Sequence, residues 1–292
     1  MQFDVFLQLV FASLSTGSIY ALVALGLVLA FKGTGLLNFA QGEFVALGAY
    51  FALFLSLYTD LSYPLVVLLT VLATALVGIV IERALLRPLI KAPAFTVVIV
   101  TLAIGLMIRN ALRIGWQETV SNLPSPFDGM SWAIGGARIN LQYLWIIGAS
   151  LLLVLLLVLF FRLTRTGKAM RAVAQNQTAA RLMGVPVGGV FSLTFAISAG
   201  MGALAGILVA PLTGVEAQMG DVLIKAFVAA IIGGFYSLPG AVVGGLIIGL
   251  AETFGGAFFG GTFKNVFAFA LLILVLLVRP NGLFGRAEIR RV

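Results

Sequence analysis

The chain has 292 residues, of which 61% are hydrophobic and only 10% are charged, and its mean hydropathy is +1.15. A water-soluble domain does not need so much apolar surface, so the composition excludes a soluble protein and leaves no room for a separate soluble domain. The sequence therefore predicts an all-α polytopic membrane protein in which residues 1–292 form a single transmembrane domain.

The formal net charge of +8 is distributed in a way that indicates membrane topology rather than nucleic-acid binding. Thirteen of the eighteen basic residues cluster at the ends of apolar segments that can all share one side of a bilayer, which is the positive-inside bias. They are Lys32, Arg83, Arg87, Lys91, Arg162, Arg165, Lys168, Arg171, Arg181, Arg279, Arg286, Arg290 and Arg291. We expect contact with membrane lipid and no nucleic-acid partner.

The chain contains no cysteine and no histidine. This excludes disulfides, thiolate metal sites, imidazole catalysis and zinc sites with the usual ligands. The sequence also lacks a P-loop, because Arg162 stands where the motif requires a glycine five residues before Gly167 and Lys168. We expect no cofactor or metal and no enzymatic activity in this chain.

The first apolar segment, residues 6–31, is preceded by Asp4 and by no basic residue. This pattern favours an uncleaved span that begins outside the cell and ends at Lys32 in the cytoplasm. With a basic C-terminal tail inside, the number of crossings must be odd. Nine crossings are therefore favoured, and eight remain if one segment does not cross.

The second apolar segment, residues 33–58, is interrupted by Asn38, Gln41, Gly42 and Glu43. Such a cluster predicts irregular backbone or a half-helix at membrane depth, which is tolerated only beside protein or a water-filled cavity. Glu43 is costly in lipid and should be paired, protonated or hydrated. A structural ion pair and a place in a transport pathway both remain open for it.

Two further spans are expected over residues 64–86 and 94–114. Glu82 and Arg87 are five residues apart and do not form the usual i,i+4 pair, and Glu82 is interpreted as structural. Arg109 lies near the outer end of its span and is expected to extend its guanidinium to the headgroups.

The sequence of the external loop, residues 115–142, is compatible with either a hairpin or a lateral helix. The leucine-rich span 143–163 is expected to face lipid.

Residues 164–187 form a long basic interruption between two apolar segments and therefore a cytoplasmic loop. Its spacing predicts one short amphipathic helix that begins after Gly167 and ends at Gly184 in a left-handed cap. The polar face comprises Lys168, Arg171, Gln175, Thr178 and Arg181, and the apolar face comprises Met170, Val173, Ala180 and Met183. The loop either fixes topology and contacts anionic lipid or docks a soluble partner.

The remaining segments are rich in small residues. Gly202 and Gly206 in the span 189–211 form a small-xxx-small face, which is typical of close helix packing. Residues 222–259 contain Lys225 and Glu252 and predict either two short spans or a re-entrant pair. These two residues are candidates for the pathway, or they pair with each other or with Glu43. The last span is expected over residues 264–278.

Four stretches carry a family resemblance over nearly the whole chain. They are GLLNFAQGEFVALGAY (35–50), GKAMRAVAQNQTAARLMGV (167–185), KAFVAAIIGGFYSLPGAVVGGLIIGLAE (225–252) and LLILVLLVRPNGLFG (271–285). Together and in this order they resemble the permease subunits of branched-chain amino-acid ABC transporters of the LivH type. One departure is Gln41, where some members carry histidine.

The resemblance implies the fold of an ABC importer permease in the bacterial inner membrane. It also implies a second permease subunit, two cytoplasmic ATPases and a periplasmic substrate-binding protein as partners. The candidate coupling residues are then Gly167, Lys168, Arg171, Gln175, Asn176, Arg181 and Gly184. The candidate pathway or gating residues are Asn38, Gln41, Glu43, Lys225 and Glu252.

Three alternatives remain at this point. The same type of importer can carry urea or short amides, since the binding protein makes most of the selection. A proton-coupled secondary transporter would use Glu43 or Glu252 as the proton carrier. A membrane-embedded enzyme or scaffold is the third alternative.

Overall fold

The computed structural model describes residues 3–90, 92–116, 122–134 and 136–285. Four of the basic residues that indicated topology, Lys91, Arg286, Arg290 and Arg291, lie outside these ranges. Within them the chain forms eleven α-helices and one β-hairpin. The helices are α1 (Phe3–Thr34), α2 (Glu43–Tyr58), α3 (Tyr63–Ile81), α4 (Ala94–Trp116), α5 (Leu141–Leu163), α6 (Arg165–Gln175), α7 (Gln177–Leu182), α8 (Val187–Thr213), α9 (Val222–Gly233), α10 (Leu238–Phe259) and α11 (Lys264–Val278). The strands are β1 (Ser131–Ile134) and β2 (Ala137–Asn140).

Eight helical segments of the described chain are long and apolar enough to cross a membrane. This confirms the predicted class of an all-α polytopic membrane protein. The α1 segment is the most enclosed of them, with 83% of its most apolar window buried, whereas the corresponding values for α5 and α11 are 17% and 6%. The exposed sides of α5 and α11 are apolar, as expected of helices that face lipid.

The centre of the bundle depends on glycines that let helices approach closely. An added Cβ at Gly249 of α10 would lie 2.3 Å from Cα of Gly17 in α1, and one at Gly206 of α8 would lie 2.0 Å from the carbonyl oxygen of Val45 in α2. No larger side chain fits at these crossings without moving a backbone. The packing role predicted for Gly206 is therefore confirmed.

The C-terminal end of α1 shows on which side α8 and α10 begin. Gln177, shortly before α8, donates to the carbonyl oxygen of Thr34 (3.3 Å), and Lys32 donates to that of Tyr236, shortly before α10 (3.3 Å). Both helices thus begin on the same side of the bundle, so the chain must return across it between them. This passage consists of a 3-10 turn, Ala217–Asp221, followed by α9.

The returning segment, Ala217–Gly233, is short but long enough to cross the hydrocarbon core of a bilayer. At the usual rise per residue the turn and α9 together span about 28 Å, close to the ~30 Å of a bilayer core. Residues 222–259 are therefore an unequal pair, a short α9 and a full 22-residue α10, rather than two short spans or a re-entrant pair. With this passage, the described residues pass across the bundle nine times, the larger of the two expected numbers.

The described part of the loop 115–142, which was predicted to be external, contains a hairpin, one of the two predicted alternatives. β1 and β2 are antiparallel, with Ser131 opposite Asn140 and Trp132 opposite Ile139. Asn140 then caps α5, since its Oδ1 accepts a hydrogen bond from the backbone N–H of Gln142 (2.9 Å).

The end of α3 pairs Glu82 with Arg87 at a spacing of five residues, although the two do not form the i,i+4 pair of an α-helix. Residues Glu82–Leu86 form a π-helical turn, which brings residues five apart onto one face. Arg87 Nε and Nη2 lie 2.9 and 3.0 Å from the two carboxylate oxygens of Glu82, and Ser192 of α8 donates to the same carboxylate (2.8 Å). The pair joins α3 to α8, in agreement with the structural role expected of Glu82.

Candidate transport pathway and coupling surface

The predicted interruption of the second segment is present between α1 and α2. Gly35 adopts a left-handed conformation (φ +78°), and Phe39–Gln41 form a 3-10 turn before α2 begins at Glu43. Asn38 Oδ1 accepts a hydrogen bond from the N–H of Ala40 (3.1 Å), which caps the turn. The turn lies inside the bundle, where neighbouring helices shield its irregular backbone from lipid.

Gln41 joins three elements. Its Nε2 donates to the carbonyl oxygen of Ser198 in α8 (2.9 Å), and the Ser198 hydroxyl lies 2.7 Å from both Gln41 Oε1 and the carbonyl oxygen of Gly26 in α1. Gln41 is fully buried, and an added Cβ at Gly26 would lie 2.5 Å from its amide nitrogen. The amide thus fixes the broken segment between α1 and α8.

Glu43 is held by a guanidinium on another helix. Arg109 of α4 reaches Glu43 Oε1 with Nη2 (2.6 Å) and Nε (3.0 Å), and the same Nη2 lies 2.7 Å from Oδ1 of Asp221. The expectation that Arg109 extends to the headgroups is wrong, because its guanidinium instead pairs with two carboxylates, of which Glu43 is buried and Asp221 is exposed. Gly220 makes this possible, since an added Cβ there would lie 2.4 Å from Glu43 Oε1.

Two buried polar atoms beside this group have no hydrogen-bond partner among the described residues. They are Oε2 of Glu43 and Nδ2 of Asn38. Asn38 is fully buried and Glu43 is 6% exposed. Unpaired buried polar atoms are costly, so this part of the bundle holds unused hydrogen-bonding capacity.

Lys225 and Glu252 form a second charged group, one of the pairings expected from the sequence. The ammonium of Lys225 in α9 donates to Oε1 of Glu252 in α10, and the hydroxyl of Tyr20 in α1 donates to Oε2 (2.6 Å). Lys225 does not pair with Glu43, whose carboxylate belongs to the Arg109 group. Sequence reasoning missed Tyr20, although a tyrosine within an otherwise apolar segment signals a buried partner for its hydroxyl.

A cavity of about 720 Å³ adjoins both charged groups. Its walls come mainly from α1, the end of α8, the turn before α9, the first residues of α9, and α11, with single residues of α2 and α5. Lys225 and Tyr20 line it together with Asp221. Apolar side chains make up most of the remaining wall and include Ile19, Val45, Val209, Leu212, Ile224 and Phe269.

The predicted cytoplasmic helix is two helices. α6 ends at Gln175, and α7 begins after Asn176, whose backbone is extended and whose Oδ1 accepts from the N–H of Ala179 (2.9 Å). The sequence pattern missed this break because Asn176 is compatible with the helical spacing on either side. Its capping side chain starts a new helix instead.

The break changes which residues are exposed. Met170, Val173 and Ala180 are buried as predicted, against Leu29 of α1, Phe161 of α5 and the start of α8. Met183 was expected on this apolar face but is 84% exposed beside Leu182, which is 83% exposed. Leu182 ends α7 and Met183 directly follows it, so the surface carries apolar side chains that sequence reasoning missed.

The polar residues of α6 and α7 share the exposed surface. Lys168, Arg171, Gln175, Asn176 and Arg181 are all exposed, and residues 164–187 contain no acidic residue. Gly184 has the predicted left-handed conformation (φ +81°). Gly167 lies inside α6 rather than before it, where an added Cβ would lie 2.3 Å from the carbonyl oxygen of Phe160. We refer to the exposed residues of α6 and α7 as the basic surface.

Among the described residues, no cluster of three or more His, Cys, Asp or Glu side chains could hold a metal ion. A broken helix, two ion-pair groups that each contain a buried glutamate, and an adjoining cavity within a bundle of spanning helices are features of membrane transport proteins. Residues 9–276 match the family described as "Branched-chain amino acid transport system / permease component". The chain belongs to this family, which confirms the resemblance found in the sequence.

Known relatives match most or all of the length of the chain. It is 37% identical over 309 residues to the high-affinity branched-chain amino acid transport system permease protein LivH of Escherichia coli (strain K12), covering 100% of this chain and 99% of LivH. LivM, a permease protein of the same system and organism, is 27% identical over 297 residues, covering 91% of this chain and 67% of LivM. A chain of PsaBC from Streptococcus pneumoniae, solved in complex with Fab, has a similar fold: the TM-score is 0.51 at 16% identity, with 96% of this chain and 94% of that chain covered.

Proposed function

We propose that this chain is the permease subunit of an ATP-driven importer of branched-chain amino acids. The observation that carries the proposal is the full-length similarity to LivH, a permease protein of a high-affinity branched-chain amino acid transport system. An apolar cavity of about 720 Å³ that contains both an ammonium and carboxylates suits a small amphiphilic substrate.

The proposed importer receives its energy from separate subunits. The chain has no P-loop, so ATP must be hydrolysed by other proteins and the work delivered through a contact. The basic surface is suited to this contact because it combines exposed basic residues with exposed Leu182 and Met183. Its buried side rests on α1, α5 and α8, so a force applied there would reach spanning helices.

The proposed partners are two cytoplasmic ATPases, a periplasmic substrate-binding protein and a second permease subunit. A LivM-like protein is favoured for the second permease, because E. coli has two related permease proteins of one transport system, LivH and LivM. We assign the basic surface to the cytoplasm and the hairpin to the outside of the inner membrane, in accordance with the positive-inside rule. The N-terminus then begins outside and the C-terminus ends in the cytoplasm.

The proposed roles of the pathway residues follow from their contacts. Asn38 and Gln41 hold the broken segment, and Glu43 is a gating residue that links α2 to α4 through Arg109. Lys225 lines the cavity. Glu252 does not line the cavity, and it holds the Lys225 side chain in place by accepting a hydrogen bond from its ammonium.

ATP-dependent leucine uptake in proteoliposomes tests the function. The liposomes would contain this chain, a LivM-like permease and the two ATPases, and leucine-loaded binding protein would be added outside. We expect uptake that stops when either the ATPases or the binding protein is omitted. Uptake by this chain alone, driven by a proton gradient, would instead establish a secondary transporter. Uptake of urea or short amides in preference to leucine would contradict the proposed substrate.

A further inference from the structure

The cavity is lined by one basic and two acidic side chains, two of which lie close together in the sequence. Lys225 is the only basic residue among its described lining residues, and Asp221 and Glu216 are the acidic ones. Asp221 directly precedes α9 with a helical backbone (φ −65°, ψ −15°), and Lys225 follows four residues later. Helical residues at this spacing lie on one face with their Cβ atoms about 6 Å apart. Asp221 and Lys225 thus contribute a carboxylate and an ammonium to the cavity from one face of the same helical segment.

The ammonium of Lys225 is available to the cavity although it has a partner. Glu252 does not line the cavity, and its side chain is only 8% exposed, whereas that of Lys225 is 23% exposed. Both oxygens of Glu252 are engaged, one by Lys225 and the other by Tyr20. An ammonium has three N–H donors, so one bond to Glu252 leaves donors for a ligand.

The carboxylate of Asp221 is available in the same way. Its side chain is 59% exposed, and its Oδ1 accepts from Arg109. A carboxylate has about four acceptor positions, so this contact does not saturate it. A cationic group in the cavity can therefore share Asp221 with Arg109.

We infer that this cavity is a binding site for an apolar amino acid in its zwitterionic form. The α-carboxylate accepts from Lys225, the α-ammonium donates to Asp221, and the aliphatic side chain lies against the apolar wall that includes Ile19, Leu212 and Phe269. Glu252 and Tyr20 are positioning residues. Glu252 accepts from Lys225 without lining the cavity, and Tyr20, which lines the cavity, donates to the other oxygen of Glu252. This inference rests on the proposed amino-acid substrate and adds the place and the groups that recognise it.

The absence of cysteine from the chain makes a direct test possible. Thr16 lines the cavity, so a Thr16→Cys variant in lipid nanodiscs would be modified with a membrane-impermeant methanethiosulfonate and followed by mass spectrometry. We expect leucine to slow this modification. A Thr59→Cys variant, exposed between α2 and α3 and outside the cavity, serves as the control and should react at the same rate with or without leucine.

Two analogues test the recognition of each charge. 4-Methylpentanoate lacks the α-ammonium of leucine, and 3-methylbutylamine lacks its carboxylate. Each should require a roughly tenfold or higher concentration for the same protection, as expected for the loss of a hydrogen bond between charged groups. Equal protection by leucine and either analogue would overturn the assignment of the two charges.

Variants of the lining residues complete the test. Protection of Thr16→Cys by leucine should be lost with Asp221→Asn and retained with Glu216→Gln, the matched acidic residue of the same cavity. It should also be lost in Lys225→Met/Glu252→Gln, which removes both members of the pair and leaves no buried carboxylate unpaired. Unchanged protection in either the Asp221 or the double variant would overturn the inference.

The test separates this inference from the proposed function. If leucine protects Thr16→Cys but the reconstituted importer shows no ATP-driven uptake, the binding site is supported and the proposed ATP-driven transport is contradicted. If the importer takes up leucine with ATP but leucine does not protect Thr16→Cys, the proposed function is supported and the binding site in this cavity is overturned.

Discussion

Arg109 Nη2 lies 2.6 Å from Glu43 Oε1 and 2.7 Å from Asp221 Oδ1, so one guanidinium nitrogen joins the start of α2 to the turn that precedes α9. These elements are far apart in sequence, and both contribute to the cavity wall, α2 through Val45 and the turn through Asp221. The two carboxylates would repel each other without the cation between them. The position of α4 therefore determines whether the broken segment and the cavity wall stay together.

Replacement of Glu43 by glutamine should lower leucine uptake severalfold without loss of the assembled complex. Glutamine keeps the shape and a neutral acceptor for Arg109, and Asp221 still compensates the guanidinium. We expect destabilisation of about 1.5–3 kcal/mol, the range for hydrogen bonds to charged groups. Uptake and thermal unfolding of the purified complex would be compared with those of the unmodified protein. Loss of the folded complex would instead show that the carboxylate is purely structural.

Lys225 and Glu252 should show strong energetic coupling. Lys225→Met leaves a buried carboxylate with only the Tyr20 hydroxyl and should cost about 3–5 kcal/mol. The double variant Lys225→Met/Glu252→Gln should recover most of this stability because no charge remains unpaired. A double-mutant cycle of thermal unfolding would measure the coupling. Additive effects of the two single substitutions would contradict it.

Gly206→Val should prevent normal assembly of the bundle, whereas Gly148→Val should be tolerated. An added Cβ at Gly206 meets the backbone of α2, but one at Gly148 on α5 has no heavy atom within 4 Å among the described residues. Overpacking of this kind costs about 1–3 kcal/mol or more. Expression and size-exclusion profiles in detergent would compare the two variants. Equal expression and equal size-exclusion profiles of the two variants would contradict the close crossing of α8 and α2.

Arg171→Glu/Arg181→Glu should uncouple ATP hydrolysis from uptake while membrane insertion remains normal. Both side chains are exposed on the basic surface, so charge reversal disturbs a docking contact rather than the core. Leucine uptake and ATPase activity would be measured in the same proteoliposomes. Arg138→Glu on the hairpin, an exposed arginine at the other end of α5, is the control and should transport normally. Unchanged uptake in the double variant would exclude docking at this surface.

The sequence predicted those features of the fold that depend on local composition. The apolar spans, the interruption at Asn38 to Glu43 and the close packing at Gly206 all follow from the number and spacing of apolar, polar and small residues. The left-handed Gly184 follows from the cost of a Cβ in that conformation. The pairing of Lys225 with Glu252 was one of several options, because composition alone does not determine which helices are neighbours.

The errors concern contacts between distant segments and changes in helix type. Arg109 was expected at the headgroups because neither Glu43 nor Asp221 is near it in sequence. The Glu82–Arg87 pair requires a π-helical turn, which the assumed α-helical spacing does not include. The exposure of Met183 depends on the cap at Asn176, where one side chain begins a second helix within an uninterrupted pattern.

Helix α1 is continuous over 32 residues, or about 48 Å, and it takes part in both candidate sites. Leu29 near one end packs with Met170 and Val173 beneath the basic surface, while Thr16 and Tyr20 line the cavity. The described part of α1 contains no proline, and its α-helix is uninterrupted. A single continuous helix therefore connects the place where force is expected to enter with the place where the substrate is expected to bind.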